Sequence, residues 1–206
     1  GVPRQPTVIP TPRFFEPEFA SAYTQYDPTQ AGTWLNEMNL IDRDEDGFRD
    51  YANGDKLTIT LEFLDFETPK NITLELVTSY WREVGLDIRL KEVDPALQTS
   101  RATAGLMQMT VWHADRTTDI LFPFQPMWYV PMHIGWEESH WNDWATYYLS
   151  QGLRGEKPPA DIIQLQTWWH ELARSTDPER VTELGKKILR STAENLWTIG
   201  MIGLAP

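Results

Sequence analysis

The sequence predicts an α/β fold with a mixed sheet, whose centre is a β-α-β unit flanked by further helices. Residues 56–64 and residues 86–93 both alternate apolar and polar side chains, as a strand with one buried face does. Residues 68–84 between them have the spacing of an amphipathic helix, and Gly85 suits its left-handed C-terminal cap. Because the joints are short, we expect two parallel strands joined by a right-handed crossover.

Capping residues and turn residues predict the remaining elements. Asp27 and Pro28 fit the N-cap and first position of a helix that runs to about Asn39 and buries Ala31, Trp34, Leu35 and Met38. Asp94 and Pro95 open a short helix in the same way. Three more helices and a last strand are predicted downstream, over residues 137–149, 160–175, from Asp177 onward, and over 197–204.

The first 26 residues differ in composition from the rest of the chain. They contain the five prolines Pro3, Pro6, Pro10, Pro12 and Pro17, each of which removes a backbone donor and fixes φ. We therefore expect an extended, proline-rich arm over residues 1–26. Residues 27–206 are expected to form a single α/β ligand-binding lobe.

Composition excludes several classes of function. The formal net charge of −12 argues against nucleic acid, which requires clustered Lys and Arg. No apolar run is long enough to cross a membrane. The absence of cysteine excludes disulfides, thiol catalysis and cysteine-ligated metals.

The segment from Met107 to Phe124 contains the candidate ligand-binding residues. A short period-2 strand leads into a loop, and open α/β sheets bind ligands at the carboxyl ends of their strands. A second, aromatic-rich stretch from Trp128 to Tyr148 offers flat indole faces of the kind that line sugar and peptide sites. The candidates are Trp112, His113, Asp115, Arg116, Asp119, Trp128 and Trp136.

An acidic loop over residues 42–50 partly matches a calcium-binding loop. Calcium prefers hard oxygen ligands at alternate positions and a glycine at the sharp turn, which is Gly47 here. The twelfth position is Asn53 rather than the bidentate glutamate, so a solvated, self-capping turn is the competing interpretation. The metal candidates are Asp42, Asp44, Asp46, Phe48 (through its carbonyl) and Asp50. The four histidines lack the close spacing of a zinc pair.

Five short motifs occur in order between residues 26 and 115: YDPTQA at 26–31, DRDEDGFRD at 42–50, LTITL at 57–61, WREVGLDI at 81–88 and VWHAD at 111–115. Together they resemble the C-terminal lobe of the extracellular solute-binding proteins of family 5, the receptors of oligopeptide-type ABC importers. Residues 160–204 fit the paired helices and closing strand of that family more loosely. The resemblance implies a type II periplasmic-binding-protein-like lobe.

The resemblance also implies a role for two residues. In this family a tryptophan followed three residues later by an aspartate lies in the cleft, and in peptide-binding members the aspartate pairs with the α-ammonium of the ligand. Those positions are Trp112 and Asp115. The family more commonly continues with proline and aspartate, whereas this chain has Arg116, which could neutralise Asp115. Residues 123–150, rich in Trp and Tyr, also exceed the usual family pattern, so a sugar or a larger ligand is an alternative to a peptide.

The implied protein is a binding protein rather than an enzyme, and it needs no cofactor. Its partners would be a peptide or similar small solute and the transmembrane permease of an ABC importer. It would be a monomer, located outside the cytoplasmic membrane and held there by a lipid anchor that lies outside residues 1–206.

Two other classes of function stay open from the sequence. A carbohydrate-active hydrolase would use Asp115, Asp119 or Glu137 and would need two carboxylates roughly 5 to 10 Å apart across a cleft. A structural domain stiffened by calcium would use the acidic loop.

Overall fold

The computed structural model describes residues 1–9, 13–65, 69–113, 118–135 and 139–203. The helices are α1 (Pro17–Ser21), α2 (Pro28–Glu37), α3 (Asn71–Glu83), α4 (Pro95–Thr103), α5 (Asn142–Leu149), α6 (Ala160–Arg174) and α7 (Pro178–Asn195), with a 3-10 turn at Ser139–Trp141. The strands are β1 (Val2–Pro3), β2 (Thr58–Phe63), β3 (Asp87–Glu92), β4 (Met109–Thr110) and β5 (Ile202–Gly203).

The chain divides into two compact units. Unit 1 combines Gly1–Thr24 with His113–Pro206, and unit 2 is Gln25–Trp112. This division differs from the prediction of an arm followed by one lobe, because the N-terminal segment belongs to the same unit as the C-terminal helices.

Unit 2 contains the predicted β-α-β unit. The sheet order is β3-β2-β4, and β2 pairs in parallel with both neighbours. Helix α3 connects β2 to β3, and Gly85 beyond its end has a φ of +85°, which a residue with a side chain rarely adopts. The prediction of parallel strands with a helical crossover is confirmed, although this sheet is parallel throughout rather than mixed.

The core of unit 2 lies between α3 and one face of the sheet. Its buried members are Leu61, Phe63, Leu74 and Ile88, and partly buried apolar side chains from β3, β4 and the end of α3 pack against them. These residues occur at period 2 in the strands and at helical spacing in α3, which is why the sequence pattern located them. Their burial supplies the main stabilising free energy of this unit.

A buried carboxylate ties helix α4 to the central strand. Glu62 of β2 is 1% exposed, and its two oxygens accept hydrogen bonds from Arg101 Nε at 2.9 and 2.8 Å. Lys91 approaches the same carboxylate at 3.4 Å. Arg101 chiefly, with a smaller contribution from Lys91, holds the pKa of Glu62 below its ordinary value. Charge-assisted bonds of this kind offset the cost of burying the carboxylate.

The predicted burial of helix α2 is wrong. The helix forms, and Asp27 caps it by accepting a hydrogen bond from Gln30 N at 2.8 Å. However, none of its residues is buried, and Trp34 and Met38 are 47% and 67% exposed. Helical periodicity shows that a helix has an apolar side, but it does not show that another surface covers that side.

Unit 1 is built on the packing of α6 against α7, with α1 also in contact with α7. Gly185 allows Phe14 to approach α7 closely, because a Cβ at this glycine would lie 2.6 Å from two carbons of the Phe14 ring. Phe14 packs edge-on against Phe122, which does the same against Tyr129, and all three side chains are fully buried.

The predicted extended arm is folded where the structure describes it. Strand β1 pairs antiparallel with β5, Phe19 of α1 is buried, and Glu16 forms ion pairs with Lys186 and Arg190 of α7. Prolines restrict local backbone geometry, but they do not prevent apolar side chains between them from joining a core.

Replacing Arg101 by methionine is expected to lower the melting temperature by about 5 °C or more, because the buried Glu62 carboxylate loses its main partner. The folded-state pKa of Glu62 is lowered, so the ion pair contributes stability above the ordinary pKa of 4.5 and loses it as the pH falls. Thermal melts from pH 7 to pH 3 should therefore show the two proteins converging in acid.

Arg180→Met is the matched control, since Arg180 pairs with the exposed carboxylates of Glu171 and Glu183. It should change the melting temperature much less. A difference between wild type and Arg101→Met that stays constant down to pH 3 would show that the ion pair does not stabilise unit 2.

Candidate functional site

Strand β4 positions Trp112 at the carboxyl end of the parallel sheet. Leu61 and Glu62 of β2 align with Met109 and Thr110 of β4, and Thr60 N donates a hydrogen bond to Gln108 Oε1 at 2.8 Å. The buried Gln98 of α4 donates from Nε2 to Thr110 Oγ1 at 3.0 Å. The strand is therefore fixed on both sides just before the half-buried Trp112. This is the sheet edge at which α/β folds bind ligands.

Lys70 lies against Trp112, and the sequence did not single it out. Its ammonium is 4.9 Å from the centroid of the Trp112 ring, within the range of a cation–π interaction. Lys70 is 8% exposed and occupies the N-cap position of α3, where its backbone N donates to Asp65 Oδ1 at 2.6 Å. A buried lysine is unusual, and a cation is disfavoured at a helix N-terminus. The sequence pattern predicted a helix from residue 68, so it did not place Lys70 at the N-cap.

The other described site candidates belong to unit 1. His113 is exposed and Asp119 is half-buried, with Oδ1 lacking a hydrogen-bond partner among the described residues. Trp128 is 5% exposed and lies in the interior of this unit, as do Tyr129 and Trp141. These aromatic residues therefore build the core of unit 1, which argues against the predicted ligand role of Trp128.

Three predicted site residues lie outside the described residues. They are Asp115, Arg116 and Trp136, and Glu137 of the hydrolase alternative lies outside them too. Their roles stay predictions.

The acidic loop of unit 2 brings some of its predicted ligands together. One oxygen each from Asp42, Asp44 and Asp50 lie within 4.8 Å of one another, and these are the residues that could hold a cation. Oδ1 of Asp42 is buried and has no hydrogen-bond partner among the described residues. Asp50 is 2% exposed and accepts from Arg43 N at 2.8 Å.

The same loop also stabilises itself without a metal. Asp42 accepts from Gly47 N, and Asp46 accepts from Phe48 N, both at 2.9 Å. The ammonium of Lys56 pairs with Asp46 and lies 3.4 Å from Asp44. Lys56 first, and the Phe48 amide second, lower the pKa of Asp46. A lysine charge thus already neutralises two of the predicted calcium ligands.

A family model identifies the class of protein. The model of bacterial extracellular solute-binding proteins, family 5 Middle, matches residues 1–131. The chain therefore belongs to the family 5 extracellular solute-binding proteins, and the resemblance seen in the five sequence motifs is confirmed. No curated protein matches this chain.

Solved structures agree with this assignment. An oligopeptide-binding protein, OppA, superposes with a TM-score of 0.86 at 27% identity, over 98% of this chain and 33% of that one. The periplasmic binding protein MelB from Agrobacterium fabrum C58 was solved with stachyose. It superposes with a TM-score of 0.76 at 17% identity, over 95% of this chain and 28% of that one. A periplasmic oligopeptide-binding protein from Thermotoga maritima, solved with mannohexaose, superposes with a TM-score of 0.65 at 17% identity. The match covers 98% of this chain and 36% of that one.

These structures confirm the type II periplasmic-binding-protein-like fold. The chain spans about a third of the length of each of these relatives. Among the described residues, no helix combines the length and apolar character that a membrane span requires.

Calcium at 1 mM is expected to raise the melting temperature by no more than about 1 °C, because Lys56 already occupies Asp44 and Asp46. Differential scanning fluorimetry with added calcium and with chelator measures the shift. Lys56→Met should increase any response, since it frees both carboxylates. A rise of several degrees in the wild type, abolished by Asp42→Asn, would instead identify a calcium site.

Proposed function

We propose that this chain is part of the substrate-binding component of an ABC importer, which captures a peptide or a similar small solute. Units 1 and 2 belong to the ligand-binding portion of a larger two-lobed receptor. In this proposal the receptor is monomeric, lies outside the cytoplasmic membrane through a lipid anchor, and delivers its ligand to a transmembrane permease.

The single observation that carries this proposal is the match to OppA over nearly the whole chain. The match combines the same fold with 27% identity, above the level at which only the fold is shared. The family model adds independent support over residues 1–131.

Trp112 is the residue around which we place the ligand. It follows a strand fixed by Gln98 and Gln108, so its backbone is held by the rigid sheet of unit 2. Rigid scaffolds that present an aromatic face at a sheet edge suit ligand capture. Asp115 and Arg116 follow Trp112 in the chain, and we propose that they fix the orientation of the ligand through charged hydrogen bonds. His113 and Asp119 would add polar contacts.

A binding protein fits the observations better than a hydrolase does. The family and the solved relatives are described as binding proteins.

Two of the relatives suggest different ligand classes for this chain. OppA is named for oligopeptides, whereas MelB was solved with stachyose. A receptor for oligosaccharides is the alternative within the same fold, and the departure at Arg116 from the common family pattern supports it.

Trp112→Ala in the full-length receptor is expected to weaken ligand binding roughly 10- to 100-fold, since truncation removes a large contact face. Isothermal titration calorimetry against a panel of peptides and neutral oligosaccharides identifies the ligand and measures the loss. Trp34→Ala is the matched control, because Trp34 lies in the same unit on the exposed helix α2 and should leave the affinity unchanged.

Two outcomes would contradict the proposal. One is the absence of binding to every member of the panel. The other is turnover of a chromogenic glycoside that is lost in Asp115→Asn, which would establish the hydrolase instead.

A further inference from the structure

Helix α4 carries a buried glutamine that faces the strand leading to Trp112. Gln98 is 1% exposed, and its Nε2 donates a hydrogen bond to Thr110 Oγ1 at 3.0 Å. Arg101 lies three residues further along the same helix and bonds to Glu62 of β2. Because residues three apart share a face of a helix, α4 meets both β2 and β4 with polar groups from one face.

Strand β4 depends on such side chains because it is short. It comprises only Met109–Thr110, and in the described part of the sheet it pairs with β2 alone. At its start, the backbone N of Thr60 donates to the side chain of Gln108 at 2.8 Å. A side chain thus supplies an acceptor that the backbone of a longer strand would supply. With so short a ladder, side-chain hydrogen bonds are needed to fix the place of β4 on the sheet.

Gln98 is unfavourable for stability. Its Oε1 is buried and has no hydrogen-bond partner among the described residues. A buried polar atom that lacks a partner lowers stability, and an apolar side chain of the same length avoids that loss. Thr110 is only half-buried, so its hydroxyl can bond to water when Gln98 is replaced. Stability alone therefore favours an apolar residue at position 98.

The location of Thr110 gives the glutamine a different role. Trp112 follows Thr110 by two residues, on the segment by which the chain leaves the sheet. Two residues of backbone span at most about 7 Å, so a displacement of Thr110 is passed on to Trp112 almost undiminished. A binding site keeps its affinity only when its contact residues are held to within about 0.5 Å.

We infer that Gln98 is a positioning residue of the proposed ligand site: through Thr110 it fixes the place of Trp112, and it does so without adding stability. This inference rests on the proposed function, and it adds to the site a residue that does not touch the ligand. Buried polar groups specify one arrangement of a core even where apolar residues would be equally stable.

Gln98→Met keeps the length of the side chain and removes its hydrogen bond. In the full-length receptor we expect a melting temperature equal to that of the wild type or higher. Binding of whichever of stachyose, mannohexaose and tri-alanine binds the wild type should be roughly three- to tenfold weaker. Differential scanning fluorimetry and isothermal titration calorimetry measure the two quantities.

The partner residue supplies a second, independent variant. Thr110→Val removes the hydroxyl and should weaken binding by a similar factor. The double variant should bind no more weakly than either single variant, because all three lack the same hydrogen bond. Thr110→Ser keeps the hydroxyl and should retain the wild-type affinity.

A buried glutamine in unit 1 is the matched control. Gln166 is 8% exposed and donates from Nε2 to Pro131 O at 2.9 Å. Gln166→Met therefore removes the same kind of bond away from the sheet, and it should leave the affinity unchanged. Hydrogen–deuterium exchange without ligand adds a readout that does not depend on binding. The amides of residues 110–112 should exchange about threefold faster or more in Gln98→Met, whereas α6 and α7 should not change.

The results distinguish the inference from the function beneath it. A Gln98→Met receptor that melts several degrees lower, or fails to fold, would show a structural role and overturn the inference. Unchanged affinity, or unchanged exchange at residues 110–112, would overturn it too and leave the receptor function intact. Failure of the wild type to bind any peptide or oligosaccharide would overturn the proposed function, and the role of Gln98 in a ligand site with it.

Discussion

The register between β2 and β4 is the constraint on which the rest of unit 2 depends. Glu62 aligns with Thr110, so the pairing of these two strands determines where the chain leaves the sheet and where Trp112 lies. A shift by one residue would exchange the two faces of β4. The part-buried hydrogen bonds from Arg101 to Glu62 and from Gln98 to Thr110 join α4 to both strands, and a buried polar group that loses its partner is costly. The register is therefore specified by polar groups as well as by the apolar core.

A lysine packs on the indole that we propose as the centre of the ligand site. Lys70 is buried against the indole, whereas the chain as a whole is acidic. Related folds accommodate ligands as different as stachyose and a nonapeptide, so the fold alone does not determine the ligand. We propose that side chains at the strand ends make that selection.

Local patterns predicted the elements of unit 2 well and the burial of single segments less well. The strands β2 and β3 and the helix α3 follow from alternation and helical spacing, and the caps Asp27 and Asp94 are observed as predicted. The prediction that Trp34 is buried and the prediction of an extended arm over residues 1–26, which include the buried Phe14, were wrong. Tertiary contacts, which local patterns do not contain, decide both. Lys70 escaped notice because its contact with Trp112 joins residues far apart in sequence. The ligand-binding roles of Asp115, Arg116 and Trp136 stay predictions.

Hydrogen–deuterium exchange on the full-length receptor, with and without saturating ligand, tests the central claim most directly. If a ligand binds at the carboxyl end of this sheet, the backbone amides of residues 109–113 and of the start of α3 should gain protection. The helices α6 and α7, which form the core of unit 1, should change little. Protection confined to α6 and α7, or no change around Trp112 under saturation, would contradict the account.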